Sequence, residues 1–203
     1  ELPTGKMKSR EGTVVDADDL VDEMIATAQH HTEALGKVKD FTSEELSALY
    51  KTIGLGAMKF YLLRVDPKKK MIFNPEESID FHGFTGPFIQ YTYARIKSIL
   101  RKEDLIIQSE KHETLLPLEK EVLYILEQFP NITLEAGKEL SPSVIANYLF
   151  LIAKTFNSFY TEHSIANAET TEKKSLRLQL ANMTSIVLQS GMQLLGIQMP
   201  ERM

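Results

Sequence analysis

The chain has 203 residues, of which 43% are apolar and 25% charged, and this composition predicts one or two globular domains with a buried core. No apolar run is long enough to span a membrane, and the absence of cysteine excludes disulfides and thiolate chemistry and favours a cytoplasmic protein. The net charge of −5 does not exclude a nucleic-acid partner, because residues 46–102 carry ten basic and four acidic side chains and lie between acidic segments.

Two amphipathic helices are predicted in the first third of the chain. Residues 17–35 follow Asp16, a predicted N-cap, and residues 43–64 follow a predicted capping box. Within the second helix, Gly54 and Gly56 each cost about 1 kcal/mol relative to alanine. We therefore expect another element to pack very close to the backbone there. The capping box is formed by Thr42 and Glu45, and the inner face of the first helix by Leu20, Met24, Ala28, His31 and Leu35.

The helical period is lost between Asp66 and Pro87, where residues 71–73 and 79–81 are interpreted as short strands or extended loop. It returns in a third helix over about residues 87–102. A fourth helix is predicted over residues 115–128.

The rest of the chain continues the helical pattern. Pro130 is predicted to stop the fourth helix, and Ser141 with Pro142 predicts the start of a fifth. The last helix runs from about residue 172 to 195 and ends at Gly196. The chain is therefore predicted to be an all-α bundle preceded by a partly different segment.

The third helix has two faces at 100° per residue. The face suited to a core carries Ile89, Tyr93, Ile96 and Leu100. The opposite face carries Phe88, Tyr91, Arg95 and Lys102. Aromatic rings interleaved with cations suit an RNA loop, in which unstacked bases lie on rings and phosphates meet positive charges. The alternative is a helix that packs on both sides, with Ile99 in the second contact.

Four separated segments carry a resemblance to one family. Lys6-Met7-Lys8-Ser9-Arg10-Glu11-Gly12 is similar to the signature loop of class I aminoacyl-tRNA synthetases, and Ile53-Gly54-Leu55-Gly56 to a glycine-containing helix. The third segment is Thr85-Gly86-Pro87-Phe88 with Gln90-Tyr91, and the fourth is the closing Pro200-Glu201-Arg202-Met203. In this order and spacing, the chain resembles the C-terminal part of arginyl-tRNA synthetases.

The resemblance implies a domain plan and a function. Residues 1–42 would be the signature loop and the end of the catalytic nucleotide-binding domain, 43–82 a linker helix with a connecting segment, and 83–203 an anticodon-binding helical bundle. The whole protein would be an arginine–tRNA ligase that joins arginine to tRNA-Arg using ATP with Mg²⁺. Two alternatives stay open: a non-catalytic helical scaffold that docks a protein, and the related domain of another class I synthetase.

In the signature loop, the resemblance implies that Lys6, Lys8 and Arg10 approach the ATP phosphates and stabilise the pyrophosphate leaving group. Lys6, Met7, Lys8 and Ser9 would contact ATP itself. Ser9 stands where the general motif has its second lysine. The resemblance therefore leaves Lys8 and Arg10 as candidates for that cation.

In the anticodon domain, the resemblance implies that Phe88, Tyr91 and Arg95 meet the anticodon loop of tRNA-Arg. Lys102 joins them as a cation of the same helix face. Further implied contacts come from Tyr160 and Met203. Phe159 falls on the apolar stripe of its helix and is predicted to be core.

Several features of the family's catalytic half are missing. The five histidines form no His-x-Gly-His-type motif, so arginine and ATP are expected to bind a missing catalytic half and this chain alone to be inactive. His30 and His31 are interpreted as helix surface and partial core, and no metal site is predicted. Without that half, Leu20, Met24 and Leu35 would lack part of their packing surface. We therefore expect disorder or self-association in residues 1–45.

Overall fold

The computed structural model describes residues 16–34, 36, 40–103 and 114–203. Within these ranges the chain forms eight α-helices and no β-strand, which confirms the predicted all-α class. No helix among the described residues has the length and apolarity needed to cross a bilayer. The helices are α1 (Ala17–Ala34), α2 (Ser43–Leu63), α3 (Pro75–Ser78), α4 (Gly86–Lys102), α5 (Pro117–Glu127), α6 (Phe129–Glu139), α7 (Pro142–Glu162) and α8 (Thr171–Leu194).

Capping side chains fix the starts of several helices. The Thr42 backbone N–H donates to the Glu45 carboxylate at 2.8 Å, and the Glu45 N–H donates to Thr42 Oγ1 at 3.2 Å, so the predicted capping box is confirmed. The Asp16 carboxylate accepts a backbone N–H at 2.9 Å. Ser141 occupies the predicted N-cap position of α7, but its hydroxyl lies 2.8 Å from the Ser143 hydroxyl and caps no backbone N–H.

The sequence interpretation missed two helices. Pro130 follows the end of α5 as predicted, but it also lies in the first turn of α6. Backbone N–H groups in the first turn have no partner within the helix, so proline, which lacks this group, is tolerated there. Between α2 and α4, the short helix α3 begins after Asn74, whose side-chain oxygen accepts the Glu77 N–H at 3.4 Å. Residues 71–73 form a loop without regular secondary structure, and residues 79–81 form a turn and loop after α3, so neither segment is a strand.

Two hydrophobic clusters form the interior. The larger one joins α4, α5, α7 and α8 and contains the predicted inward face of α4, with Ile89, Tyr93 and Ile96 all buried. The smaller one joins α1, α2 and the segment around α3. Met24 is fully buried in this smaller cluster, so the expectation that it lacks part of its packing surface was wrong. Leu35 lies outside the described residues.

The glycines of α2 allow the close contacts that the sequence predicted. A Cβ on Gly54 would lie 2.8 Å from the Met24 carbonyl oxygen of α1. A Cβ on Gly56 would lie 2.5 Å from Gln90 Nε2, and one on Gly86 would lie 2.6 Å from the Gly56 carbonyl oxygen. Side chains at these positions would push α1 or α4 away from α2. The glycines therefore set where α4 lies in the fold.

Candidate nucleic-acid interface

A groove opens along the outer face of α4, between the end of α7 and the chain's last residues. Its volume is about 530 Å³. It is lined by five of the six side chains for which RNA contacts were predicted: Tyr91, Arg95, Lys102, Tyr160 and Met203. These residues come from three separate parts of the sequence, and only the folded chain brings them together. We call this feature the α4–α7 groove.

Arg95 lies at the centre of the α4–α7 groove. Its guanidinium carbon is 4.9 Å from the centroid of the Tyr91 ring and 5.5 Å from that of the Tyr160 ring. Both distances are within the range of cation–π attraction. Its Nη1 donates to the Asn157 side-chain oxygen at 2.6 Å. The described partners of Arg95 are therefore two rings and a neutral amide, and its positive charge meets no carboxylate among them.

Tyr160 is accessible from the groove, whereas its neighbour is not. Its side chain is 36% exposed and its ring stacks on Phe156 at 6.4 Å, with 12° between the ring planes. Phe159 is fully buried, which confirms its prediction as a core residue. A ring that is held in place by neighbouring side chains and is still partly exposed suits contact with a nucleobase.

The side chains that line the groove carry an excess of positive charge. The four cations are Arg95, Arg101, Lys102 and Arg202. The two carboxylates are Asp40 and Glu103. Glu103 pairs with Lys174 at 2.7 Å, so part of its charge is neutralised outside the groove. The local field therefore favours an anionic ligand, although the chain as a whole is acidic.

The last residues are held against the rest of the fold. Arg202 Nη2 donates to the Asp40 carbonyl oxygen at 3.2 Å, and its guanidinium carbon lies 4.3 Å from the centroid of the Phe41 ring. Glu201 pairs with Lys97 Nζ at 3.2 Å. Each contact is weak by itself because it is partly exposed. Together they place the methionine that follows Arg202 in the α4–α7 groove.

Phe88 does not line the α4–α7 groove. Its half-buried ring packs on Phe150 at 5.3 Å, because α7 crosses the first turn of α4. It lines a second, shallow cavity of about 350 Å³ together with Asn157 and Ser158. The predicted outer face of α4 is therefore divided, with Tyr91, Arg95 and Lys102 on one side of Asn157 and Phe88 on the other.

A buried charge cluster at the start of α8 holds the loop beside the groove, and the sequence interpretation missed it. Glu119, fully buried, lies 2.7 Å from Lys173 Nζ and 2.9 Å from Arg177 Nε. Arg177 also donates to the Ser164 carbonyl oxygen at 2.6 Å and to the Glu169 carboxylate. Arg177 therefore fastens the α7–α8 loop, which lines one edge of the groove, to the interior of the bundle.

The pKa values of this cluster follow from burial and hydrogen bonding. Burial alone would raise the pKa of Glu119, but hydrogen bonds from Lys173, the Leu116 N–H and Arg177 outweigh it and hold the pKa below its ordinary value. Burial likewise opposes the charge of Arg177, and the two carboxylates of Glu119 and Glu169 raise its pKa. Glu119 and Arg177 are therefore both charged at neutral pH.

Comparison with known proteins assigns the chain to a family. A family model described as the DALR anticodon binding domain matches residues 89–203, more than half of the chain. The chain belongs to this family. An arginine–tRNA ligase of Flavobacterium psychrophilum is 54% identical over 203 residues, which is 100% of this chain and 34% of that protein. One of Parabacteroides distasonis is 49% identical over 208 residues, covering 100% of this chain and 35% of that protein.

Solved structures of arginyl-tRNA synthetases have the same fold over most of this chain. The Thermus thermophilus arginyl-tRNA synthetase matches 95% of this chain and 33% of its own, with a TM-score of 0.87 and 30% identity. The Plasmodium falciparum arginyl-tRNA synthetase matches 94% and 34%, with a TM-score of 0.79 and 23% identity, and supports the fold alone. The predicted resemblance to arginyl-tRNA synthetases is confirmed. The chain spans about a third of the length of the curated relatives it matches.

The individual site residues stay predictions. Lys6, Met7, Lys8, Ser9 and Arg10 of the signature loop lie outside the described residues. The predicted tRNA contacts lie where a ligand could reach them, five in the α4–α7 groove and Phe88 in the second cavity. The predicted domain boundaries also stay predictions.

Proposed function

We propose that this chain binds the anticodon loop of tRNA-Arg in the α4–α7 groove, as part of an arginine–tRNA ligase. The observation that carries the proposal is the position of Arg95 between the rings of Tyr91 and Tyr160, in a groove with more cations than carboxylates. Bases of a single-stranded loop stack on such rings, and phosphates meet the surrounding positive charges. The match to an anticodon-binding family supports this ligand over a protein partner.

The reaction of the whole protein belongs to the same proposal. It joins arginine to tRNA-Arg using ATP, in the cytoplasm, where aminoacylated tRNA is consumed in translation. Arginine and ATP, with Mg²⁺, bind outside the described residues, and Lys6, Lys8 and Arg10 stabilise the ATP phosphates. Support comes from the names of the relatives and from the resemblance of residues 6–10 to the signature loop.

Titration of the chain with fluorescently labelled tRNA-Arg tests RNA binding. We expect Tyr160→Ala to weaken binding by about 1–3 kcal/mol, because one base–ring stack is lost. The matched control is Tyr124→Ala, which removes a tyrosine that is 65% exposed on α5 and does not line the groove. We also expect affinity to fall as salt is raised, because binding releases counterions from the RNA and this release is less favourable at high salt.

The same titration separates the alternatives. An unrelated tRNA that binds as tightly as tRNA-Arg at moderate salt would remove the claim of specificity. Absence of binding at low salt would remove RNA binding from this chain. A protein-docking scaffold predicts that Arg95→Ala and Tyr91→Ala leave RNA affinity unchanged.

A further inference from the structure

Asn157 connects α7 to the centre of the α4–α7 groove. It lies one helical turn before Tyr160 and is half-buried between the groove and the second cavity. We propose that Asn157 is a positioning residue for RNA binding, whose side-chain amide holds the Arg95 guanidinium between the two tyrosine rings. This inference rests on the proposed function of the groove.

Hydrogen bonds fix which way the Asn157 amide faces. Its Nδ2 donates to Thr92 Oγ1 at 2.8 Å, and Thr92 Oγ1 in turn donates to the Phe88 carbonyl oxygen at 2.9 Å. Because the only hydroxyl proton of Thr92 is used on that carbonyl, its oxygen acts here as an acceptor. The nitrogen of the amide must therefore point at Thr92, and the oxygen is left to accept from Arg95 Nη1 at 2.6 Å.

This arrangement prepares Arg95 for a ligand. A guanidinium has five N–H donors, and the bond to Asn157 uses one of them, so others remain for RNA. Because the Asn157 amide is neutral, it orients Arg95 without cancelling the positive charge, as a carboxylate would. Long side chains lose conformational freedom when a ligand immobilises them, and a side chain that is already held loses less. Asn157 therefore strengthens binding through the position in which it holds Arg95.

A double-mutant cycle on the 203-residue chain tests this role, with labelled tRNA-Arg as the probe. We expect Asn157→Ala to weaken binding roughly three- to tenfold. In the Arg95→Ala background, the same substitution is expected to have no further effect, because there is no guanidinium left to position. The matched control is Asn147→Ala on the same helix. Asn147 is exposed, and its Nδ2 donates to the Ser143 carbonyl oxygen within the helix at 2.6 Å, so its loss should leave affinity unchanged.

A spectroscopic measurement separates positioning from general stability. The Arg95 guanidinium N–H signals in NMR spectra of the free chain should show restricted rotation, and Asn157→Ala should average them. Thr92→Val is a second variant for this purpose. It removes the hydroxyl that orients the amide and should also weaken binding, roughly two- to threefold, only when Arg95 is present.

The outcomes that overturn the inference are distinct from those that overturn the proposed function. If Arg95→Ala weakens binding but Asn157→Ala does not, the inference fails and the function stands. The inference also fails if Asn157→Ala has an equal effect with and without Arg95. If Arg95→Ala leaves the affinity for tRNA-Arg unchanged, the proposed role of the groove fails together with the inference.

Discussion

Leu140 ends α6 in a backbone conformation that disfavours its own side chain. Its φ of 52° and ψ of 39° lie in the left-handed region, and it is the only non-glycine residue with positive φ among the described residues. Its side chain is 82% exposed, so little packing compensates. Glycine is favoured at such helix ends because it has no Cβ to clash with the backbone.

We therefore expect Leu140→Gly to raise the free energy of unfolding by about 1 kcal/mol. Urea denaturation of both chains measures it. The matched control is Leu134→Gly, which alters an exposed leucine inside the same helix and should lower the free energy of unfolding by about 1 kcal/mol. A Leu140→Gly chain that is less stable than the parent would show that the leucine makes contacts that outweigh its backbone strain.

At the scale of a helix, two glycines with different surroundings test whether close packing between helices requires glycine. A Cβ on Gly56 would meet the amide of Gln90, which is fully buried and held by the Thr52 and Gln198 carbonyl oxygens at 3.2 and 2.8 Å. A Cβ on Gly137 of α6 would meet nothing within 4 Å. Both glycines lie in helices, so alanine has the same intrinsic advantage at each position.

We expect Gly137→Ala to stabilise the chain by about 0.5–1 kcal/mol, because the helix gains a better former. Gly56→Ala should instead destabilise it by about 1–3 kcal/mol, because Gln90 must move from its hydrogen bonds. Thermal unfolding of the two variants side by side checks the difference in sign. If both variants were stabilised, α2 and α4 would be able to separate without loss, contrary to their close packing.

Some of these packing features could be predicted from the sequence, and others could not. Mid-helix glycines predicted close packing in α2 because each carries a known cost, and the spacing of apolar residues predicted the inner face of α4. Asn157 could not be predicted as a partner of Arg95, because the two residues are far apart in sequence and an asparagine inside a helix has no periodic signal. Glu119 gave no signal either, since it begins the charged run Glu119-Lys120-Glu121, which resembles an exposed helix surface. Phe88 was predicted to share a face with Arg95, and only the path of α7 separates them.

At the scale of the whole molecule, the cluster around Glu119 joins α5, α8 and the α7–α8 loop. Removing the charge of Glu119 leaves Lys173 and Arg177 buried without their shared partner. We therefore expect Glu119→Gln to lower the free energy of unfolding by roughly 3–5 kcal/mol. Because the folded pKa of Glu119 is below its ordinary value of 4.5, the stability it contributes is present above that pH and is lost as the pH falls further.

Denaturant unfolding of the parent and Glu119→Gln chains at a series of pH values checks both statements. The parent should lose stability more steeply than the variant as the pH is lowered below about 4.5. Parallel curves would mean that Glu119 does not supply the acid-sensitive stability. The partly exposed pair Lys97–Glu201 provides a control. Lys97→Ala should lower the free energy of unfolding by at most about 1 kcal/mol, which is typical of a surface ion pair.

The α4–α7 groove has a consequence for synthesis of the chain. Its walls come from residues 40–41, 91–103, 160–166 and 202–203, so nearly the whole sequence must leave the ribosome before they can meet. Contacts between such distant positions form late, because the intervening chain must first be ordered. A nascent polypeptide in which residues 202–203 have not yet left the ribosome therefore has no complete groove with which to capture the tRNA that surrounds it.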